Sequence, residues 1–186
     1  MQNKFHCNPS STFFVLDRDG VINKDTRDFV KSPAEFHFLP GSLEAIRKLT
    51  DAGYPIGIAT NQSGVGRGYF NEEMLHRIHE TMLQQIKQYG GKILNVAYCP
   101  HLPEHHCLCR KPKPGLLEQL IQGTDRLIEN IIFIGDRLSD LKTAEHAGIP
   151  FFLVRSSMTE LIIEHQYPSI AKFDSLLDIV NHLLVR

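Results

Sequence analysis

Two aspartates stand two residues apart in Asp17-Arg18-Asp19-Gly20-Val21-Ile22-Asn23. One carboxylate of such a pair can attack an electrophile while the other moves protons. Gly20 permits the sharp backbone turn that brings both to one pocket, although the tetrapeptide alone is also an ordinary polar turn. In Thr60-Asn61-Gln62-Ser63-Gly64-Val65-Gly66-Arg67-Gly68, a hydroxyl precedes a glycine-rich turn whose free N–H groups suit phosphoryl oxygens. Arg110-Lys111-Pro112-Lys113-Pro114 sets three cations in a run stiffened by proline, able to neutralise a transferring phosphate. A second acid pair in Gly135-Asp136-Arg137-Leu138-Ser139-Asp140 can ligate a hard cation or cap a helix. Each string has a bland alternative, a flexible loop, a solvated basic loop or a helix cap.

A different chemistry sits in Cys99-Pro-His101-Leu-Pro-Glu-His-His-Cys107-Leu-Cys109. Three thiolates and an imidazole are the ligand set of a closed tetrahedral structural zinc. His105 and His106 compete for the nitrogen position. His101 is preferred because its spacing from Cys99 mirrors that of Cys107 and Cys109. A bound zinc would fix the loop that leads directly into Arg110 and Lys111.

These strings need a scaffold, and the hydropathy pattern supplies one. Thr12–Leu16, Ile56–Ala59, Leu94–Cys99, Ile131–Ile134 and Phe151–Val154 are short apolar runs of the kind that form buried parallel strands. Between them lie segments of helical period: Leu43, Ile46 and Leu49 stopped by Gly53, and Met74, Leu75, Ile78, Met82 and Ile86 behind an Asn71 cap, ending near Gly90 and Gly91. Leu116, Leu117, Leu120 and Ile121 form a short helix, and Leu141, Ala144 and Ala147 another, stopped by Gly148; residues 174–184 read as a packing helix. Alternating strands and helices predict an α/β, doubly wound, mostly parallel sheet, whose ligands bind beyond the carboxyl ends of the strands. All four chemical strings fall there.

The chain has 186 residues, enough for one substantial core, so a single domain is expected over 1–186, with a polar tail at 1–11. A formal charge of −1 provides no basic field for nucleic acid or an anionic membrane. The apolar runs are too short to span a bilayer, and the N-terminus has no secretory pattern, so a cytoplasmic enzyme is expected. Clustered cysteines fit a reducing compartment, and Cys7 reads as a free thiol.

The ordered set resembles the haloacid dehalogenase superfamily, whose phosphatases carry an Asp-x-Asp motif, a Ser/Thr after the second strand, a later Lys and a terminal acidic motif. More narrowly, DRDGVIN, TNQSGVGRG, CPH, CRKPKPG and GDRLSD are similar to the D-glycero-D-manno-heptose 1,7-bisphosphate 7-phosphatase family, over about residues 13–155. The resemblance implies a capless Rossmann-like fold and a role in making heptose for lipopolysaccharide core. It implies Asp17 as nucleophile, Asp19 as acid and base, and Thr60 and Lys111 holding phosphoryl oxygens. Asp140 would orient Lys111 or a metal-bound water. Catalytic magnesium would lie on Asp17, the Asp19 carbonyl and Asp136, and structural zinc on Cys99, His101, Cys107 and Cys109. The small phosphorylated sugar would meet Asp25, Thr26, Arg27, Asp28, Asn61, Gln62, Ser63, Arg110, Lys111 and Arg137 on a monomeric protein.

Residues 25–28 depart from the family pattern, in which a small residue and an aromatic often fill the last two places; Phe29 offers an aromatic one position later. Arg137 stands where Lys is common. The zinc-loop spacing also suits histidinol-phosphate phosphatases, in which Asp is expected at position 63 rather than Ser. A zinc-stabilised binding module that keeps only the fold is a third reading, opposed by the intact acid, hydroxyl and lysine set.

Overall fold

The computed structural model describes residues 8–184, so Cys7 and the first part of the polar tail lie outside the described residues. Six strands form one sheet: β1 (Phe13–Leu16), β2 (Ile56–Asn61), β3 (Asn95–Cys99), β4 (Ile131–Gly135), β5 (Phe151–Val154) and β6 (Lys172–Phe173). Their order is β3-β2-β1-β4-β5-β6, and every pairing is parallel. The winding reverses between β1 and β4, which opens a crevice at their carboxyl ends.

The central strand shows why both faces must be covered. Phe13, Phe14, Val15 and Leu16 are all buried. Phe14 and Leu16 pack with Ile46, Leu49, Ile78, Met82 and Ile179, whereas Phe13 and Val15 pack with Leu116, Leu117, Leu120, Phe133 and Ala144. The first face is covered by α1 (Ser42–Asp51), α3 (Glu72–Gln88) and α7 (Leu176–Leu184), and the second by α4 (Gly115–Ile121) and α5 (Leu138–Ala147). A short α2 (Ser63–Gly66) follows β2, and α6 (Leu161–Gln166) follows β5.

Local chemistry sets the element ends. Asn71 Oδ1 accepts the Met74 N–H at 2.9 Å and starts α3. The left-handed glycines Gly53 and Gly148 follow α1 and α5. Three elements differ from expectation, the first being α2, which forms within the string expected to be a glycine-rich turn. The two-residue β6 lies in a polar stretch with no apolar run, and α6 buries Ile163 while leaving Leu161 and Ile162 exposed.

Candidate active site

Asp17 follows β1 directly, and its N–H donates to the Ile134 carbonyl at 2.8 Å, which fixes it at the crevice. Lys111 Nζ lies 2.9 Å from Asp17 Oδ1, 2.6 Å from Asp140 Oδ1 and 2.8 Å from the Ala59 carbonyl that it donates to. Asp17, Asp136 and Asp140 offer carboxylate oxygens all within 4.8 Å of one another, and all three residues are buried. Two glycines make this crowding possible. A Cβ at Gly20, whose φ is +85°, would stand 2.2 Å from Asp136 Oδ2, and one at Gly135 would stand 2.4 Å from the Asp140 Cβ.

The electrostatics follow from burial. Burial pushes the Asp17 carboxyl up to about 7; Lys111 opposes the shift, and Asp140 and Asp19 add to it. Asp136 is pushed up to about 9 by burial and then by the charges of Asp17 and Asp140. Burial would lower Lys111, yet Asp140 and Asp17 outweigh it and raise the ammonium above its ordinary value. Asp136 Oδ2 accepts the Ser156 hydroxyl at 2.6 Å and its carbonyl accepts Thr159 Oγ1 at 2.9 Å, but Oδ1 is buried without a hydrogen-bond partner. Three clustered buried carboxylates, two of them on one ammonium and the third with an orphaned oxygen, fit a hard divalent cation.

Asp19 is held from three sides. Arg18 Nη2 donates to both of its carboxylate oxygens at 2.9 Å, Asn23 Nδ2 to Oδ1 at 2.9 Å and Gln62 Nε2 to Oδ2 at 2.7 Å. Burial raises the Asp19 carboxyl, but Arg18, Asn23 and Gln62 together hold it below its ordinary value. Gln62 also donates to Thr60 Oγ1 at 2.9 Å, so the hydroxyl after β2 belongs to the same network.

Part of this set lines a cavity of about 320 Å³, and Asp136 and Asp140 are not among the lining residues. Asp17, Asp19, Thr60, Asn61, Gln62, Arg110, Lys111, Arg137, Asp25, Thr26 and Arg27 all reach it. Asp28 and Ser63, expected to touch substrate, are not among its lining residues. Asp28 is exposed on a turn that donates its N–H to Thr26 Oγ1, and Ser63 is buried at the start of α2. Phe29, in the left-handed region at φ 62°, lines the cavity and packs on Tyr69 with ring centroids 5.3 Å apart. Asn61 also clamps the Lys111 main chain, accepting its N–H at 3.1 Å and donating to its carbonyl at 3.2 Å. Arg137 pairs with Asp25 at 2.5 Å, tying the loop after β4 to the loop after β1.

Sequence reasoning passed over Arg18, Met158 and Glu160, which also line the cavity, and Ser156 behind Asp136. Arg18 was the more legible of these, a basic residue held between two acids.

In the zinc loop, Cys99 Sγ lies 3.6 Å from both Cys107 Sγ and His101 Nδ1, and Cys109 Sγ lies 3.5 Å from Cys107 Sγ and 3.3 Å from His101 Nδ1. Bonds of about 2.3 Å to sulfur and about 2.0 Å to nitrogen give tetrahedral edges of roughly 3.5–3.8 Å, so this quartet fits zinc. His105 and His106 are exposed and outside it.

A sheet wound about this crevice, with an acid pair beyond β1 answered by a lysine and a second acid pair beyond β4, defines a haloacid dehalogenase-type phosphatase. A family model described as HAD-hydrolase-like matches residues 108–178. D-glycero-β-D-manno-heptose-1,7-bisphosphate 7-phosphatases are similar throughout: that of Neisseria meningitidis is 39% identical over 91% of this chain and 93% of its own, and that of Pseudomonas putida 37% identical over 91% and 98%. The crystal structure of the D,D-heptose 1,7-bisphosphate phosphatase from B. bronchiseptica, complexed with magnesium and phosphate, superposes with a TM-score of 0.87 at 37% identity, covering 93% of this chain and 98% of that one. The chain belongs to the heptose-1,7-bisphosphate 7-phosphatase family of the haloacid dehalogenase superfamily.

Proposed function

We propose that the protein removes the C7 phosphate of D-glycero-D-manno-heptose 1,7-bisphosphate through an aspartyl-phosphate on Asp17. The observation that carries this reading is the Asp17 carboxylate on the cavity wall, buried and facing Lys111 Nζ at 2.9 Å. A nucleophile placed there meets a phosphoryl group whose oxygens fall to the lysine and to Thr60. Asp19, fixed by Arg18, Asn23 and Gln62, is the group that gives a proton to the departing sugar oxygen and later takes one from water.

Magnesium held by Asp17, Asp136 and the Asp19 carbonyl would offset repulsion between an anionic nucleophile and an anionic ester. Zinc held by Cys99, His101, Cys107 and Cys109 would supply a rigid loop rather than reactivity. The chain braces the same loop itself, because Lys113 Nζ donates to the His106 and Cys107 carbonyls, each at 2.8 Å. Cysteine thiolates kept available for a metal suit a reducing compartment, which supports a cytoplasmic location, and we read the unit of action as a monomer.

The substrate assignment rests on the named relatives and on Arg27, Arg110 and Arg137 at the cavity, which suit a second phosphate better than an amine. The product would feed synthesis of lipopolysaccharide core heptose. The test compares phosphate release from heptose 1,7-bisphosphate and histidinol phosphate, with ³¹P NMR of the sugar product. Preference for the bisphosphate with the C1 phosphate retained is expected. Preference for histidinol phosphate would overturn the substrate.

A further inference from the structure

Arg18 is a full positive charge buried to 1% exposure inside a phosphatase site, yet the roles assigned above leave its own orientation unexplained. Its guanidinium has donors only. Nη2 serves the two Asp19 oxygens and the Gln62 Oε1 at 3.1 Å, and Nη1 lies 3.2 Å from His79 Nε2. Because guanidinium cannot accept, Nε2 accepts here and the imidazole carries its proton on Nδ1. Burial, and then the charge of Arg18, hold the His79 pKa down to about 3, consistent with a neutral acceptor.

His79 lies on the buried stripe of α3 with Leu75, Ile78, Met82 and Ile86, where helical period would place another aliphatic residue. A polar ring there costs desolvation unless it is hydrogen-bonded. The long α3 thus presents one fixed acceptor to the guanidinium, and Gln62, at the start of α2, presents another.

We propose that His79 and Arg18 are positioning residues for proton delivery by Asp19: His79 fixes the guanidinium, and the guanidinium fixes the carboxylate that faces the leaving oxygen. The proposal rests on the reading of Asp19 as the acid. In the step concerned, an Asp17 oxygen forms its bond to phosphorus, the bond from phosphorus to the sugar oxygen breaks, and that oxygen takes the proton that Asp19, ionised in the resting site, gains from solvent as the anionic ester enters. Without the His79 acceptor the guanidinium regains rotamer freedom and the carboxylate turns with it. The lysine, Asp136 and Asp140 make no hydrogen bond to this brace, and Arg18 reaches Asp17 Oδ1 only through its main-chain N–H at 2.7 Å, which a change at His79 leaves in place, so the damage is confined to proton delivery.

Leaving-group basicity isolates that step. With magnesium and zinc supplied, kcat/KM is measured for wild type, His79→Leu, His79→Gln and Asp19→Asn on 4-nitrophenyl, phenyl and alkyl phosphates. A 4-nitrophenolate departs without help, whereas an alkoxide needs a proton. For His79→Leu the expected loss is about threefold or less on the nitrophenyl ester and about thirtyfold or more on the alkyl ester. His79→Gln, which returns an acceptor to Nη1, recovers most of the alkyl rate. His79→Met, which removes the same acceptor with a side chain of different shape, repeats the sloped loss and carries the test should His79→Leu not fold. A loss equal on all three esters, or none, overturns the proposal when Asp19→Asn is itself sloped. A flat Asp19→Asn instead overturns the assignment of the acid.

Discussion

Lys111 stands closer to Asp140 than to Asp17: its Nζ is 2.6 Å from Asp140 Oδ1 and 2.9 Å from Asp17 Oδ1. The lysine is therefore aimed by a carboxylate on α5 as well as by Asp17, the proposed nucleophile. Asp140 also accepts the main-chain N–H groups of Asp136 and Arg137 through Oδ2, at 3.3 and 3.0 Å, so one side chain joins the lysine to the acidic end of β4.

Removing that carboxylate leaves a buried ammonium with half of its ion pairing. Asp140→Ala is expected to lose about 3 kcal/mol in urea unfolding, toward the lower end for a broken buried pair because repulsion with Asp17 and Asp136 is relieved. Its kcat should fall about 100-fold as Lys111 drifts from place. Asp140→Asn keeps one oxygen for the two N–H groups but turns an NH2 donor toward Lys111, so it should regain part of the stability and little of the rate. Equal losses in the two variants would contradict this division.

Asp17→Asn tests the nucleophile without changing its shape. An amide neither attacks phosphorus nor balances Lys111, and loss of a covalent nucleophile costs about 10⁴-fold or more. Rapid-quench mass spectrometry of wild type should find phosphate on Asp17, and the variant should form none. Phosphate on another residue, or a rate within tenfold of wild type, would remove Asp17 from the mechanism.

The quartet of Cys99, His101, Cys107 and Cys109, proposed above to hold zinc, predicts an indirect loss. Arg110 and Lys111 follow Cys109 in the chain, and Arg110 Nη1 donates to the His101 carbonyl at 3.2 Å, so the quartet and the cationic corner move together. Cys109→Ser or chelation should release one zinc per chain, raise amide exchange across residues 100–114 and lower kcat about tenfold or more, a metal-ligand effect of the size seen for misplaced catalytic groups. Exchange in α3, on the other face of the sheet, should not change. Full turnover in a folded, zinc-free protein would show that Lys111 needs no such tether.

What the sequence disclosed depended on pattern. Four apolar runs became β1, β2, β4 and β5, inner strands largely buried on both faces, whereas the run at Leu94–Cys99 became the half-exposed edge strand β3; the acid, hydroxyl and cationic strings followed the strand ends as the topology required. Lys172–Phe173 carried no such signal, since a two-residue edge strand has no period to read. Polar residues that support others were the harder class. His79 was hidden because its helix was read for apolar positions alone, and Asn61 and Gln62 were assigned to substrate although they also spend hydrogen bonds on Lys111 and Asp19. Residue type and spacing indicate which groups can do chemistry, whereas the division between touching substrate and bracing a neighbour is set by long-range packing.

His79 also gives a stability prediction separate from catalysis. It is 6% exposed, and its pKa is held at about 3 against an ordinary value of 6.5. Above about pH 6.5 the ring is neutral in both folded and unfolded chains and contributes no pH dependence. Between about pH 6.5 and about pH 3 the unfolded chain binds a proton that the folded one refuses, so stability falls as pH falls, by up to about 1.4 kcal/mol per pH unit. His79→Gln cannot take that proton. From pH 6 to pH 4.5, its unfolding free energy in urea should therefore decline less steeply than wild type, by close to one proton's slope in the lower half of the range. Parallel curves would mean that His79 protonates in the folded protein as readily as in the unfolded one, and that Arg18 yields its acceptor without cost.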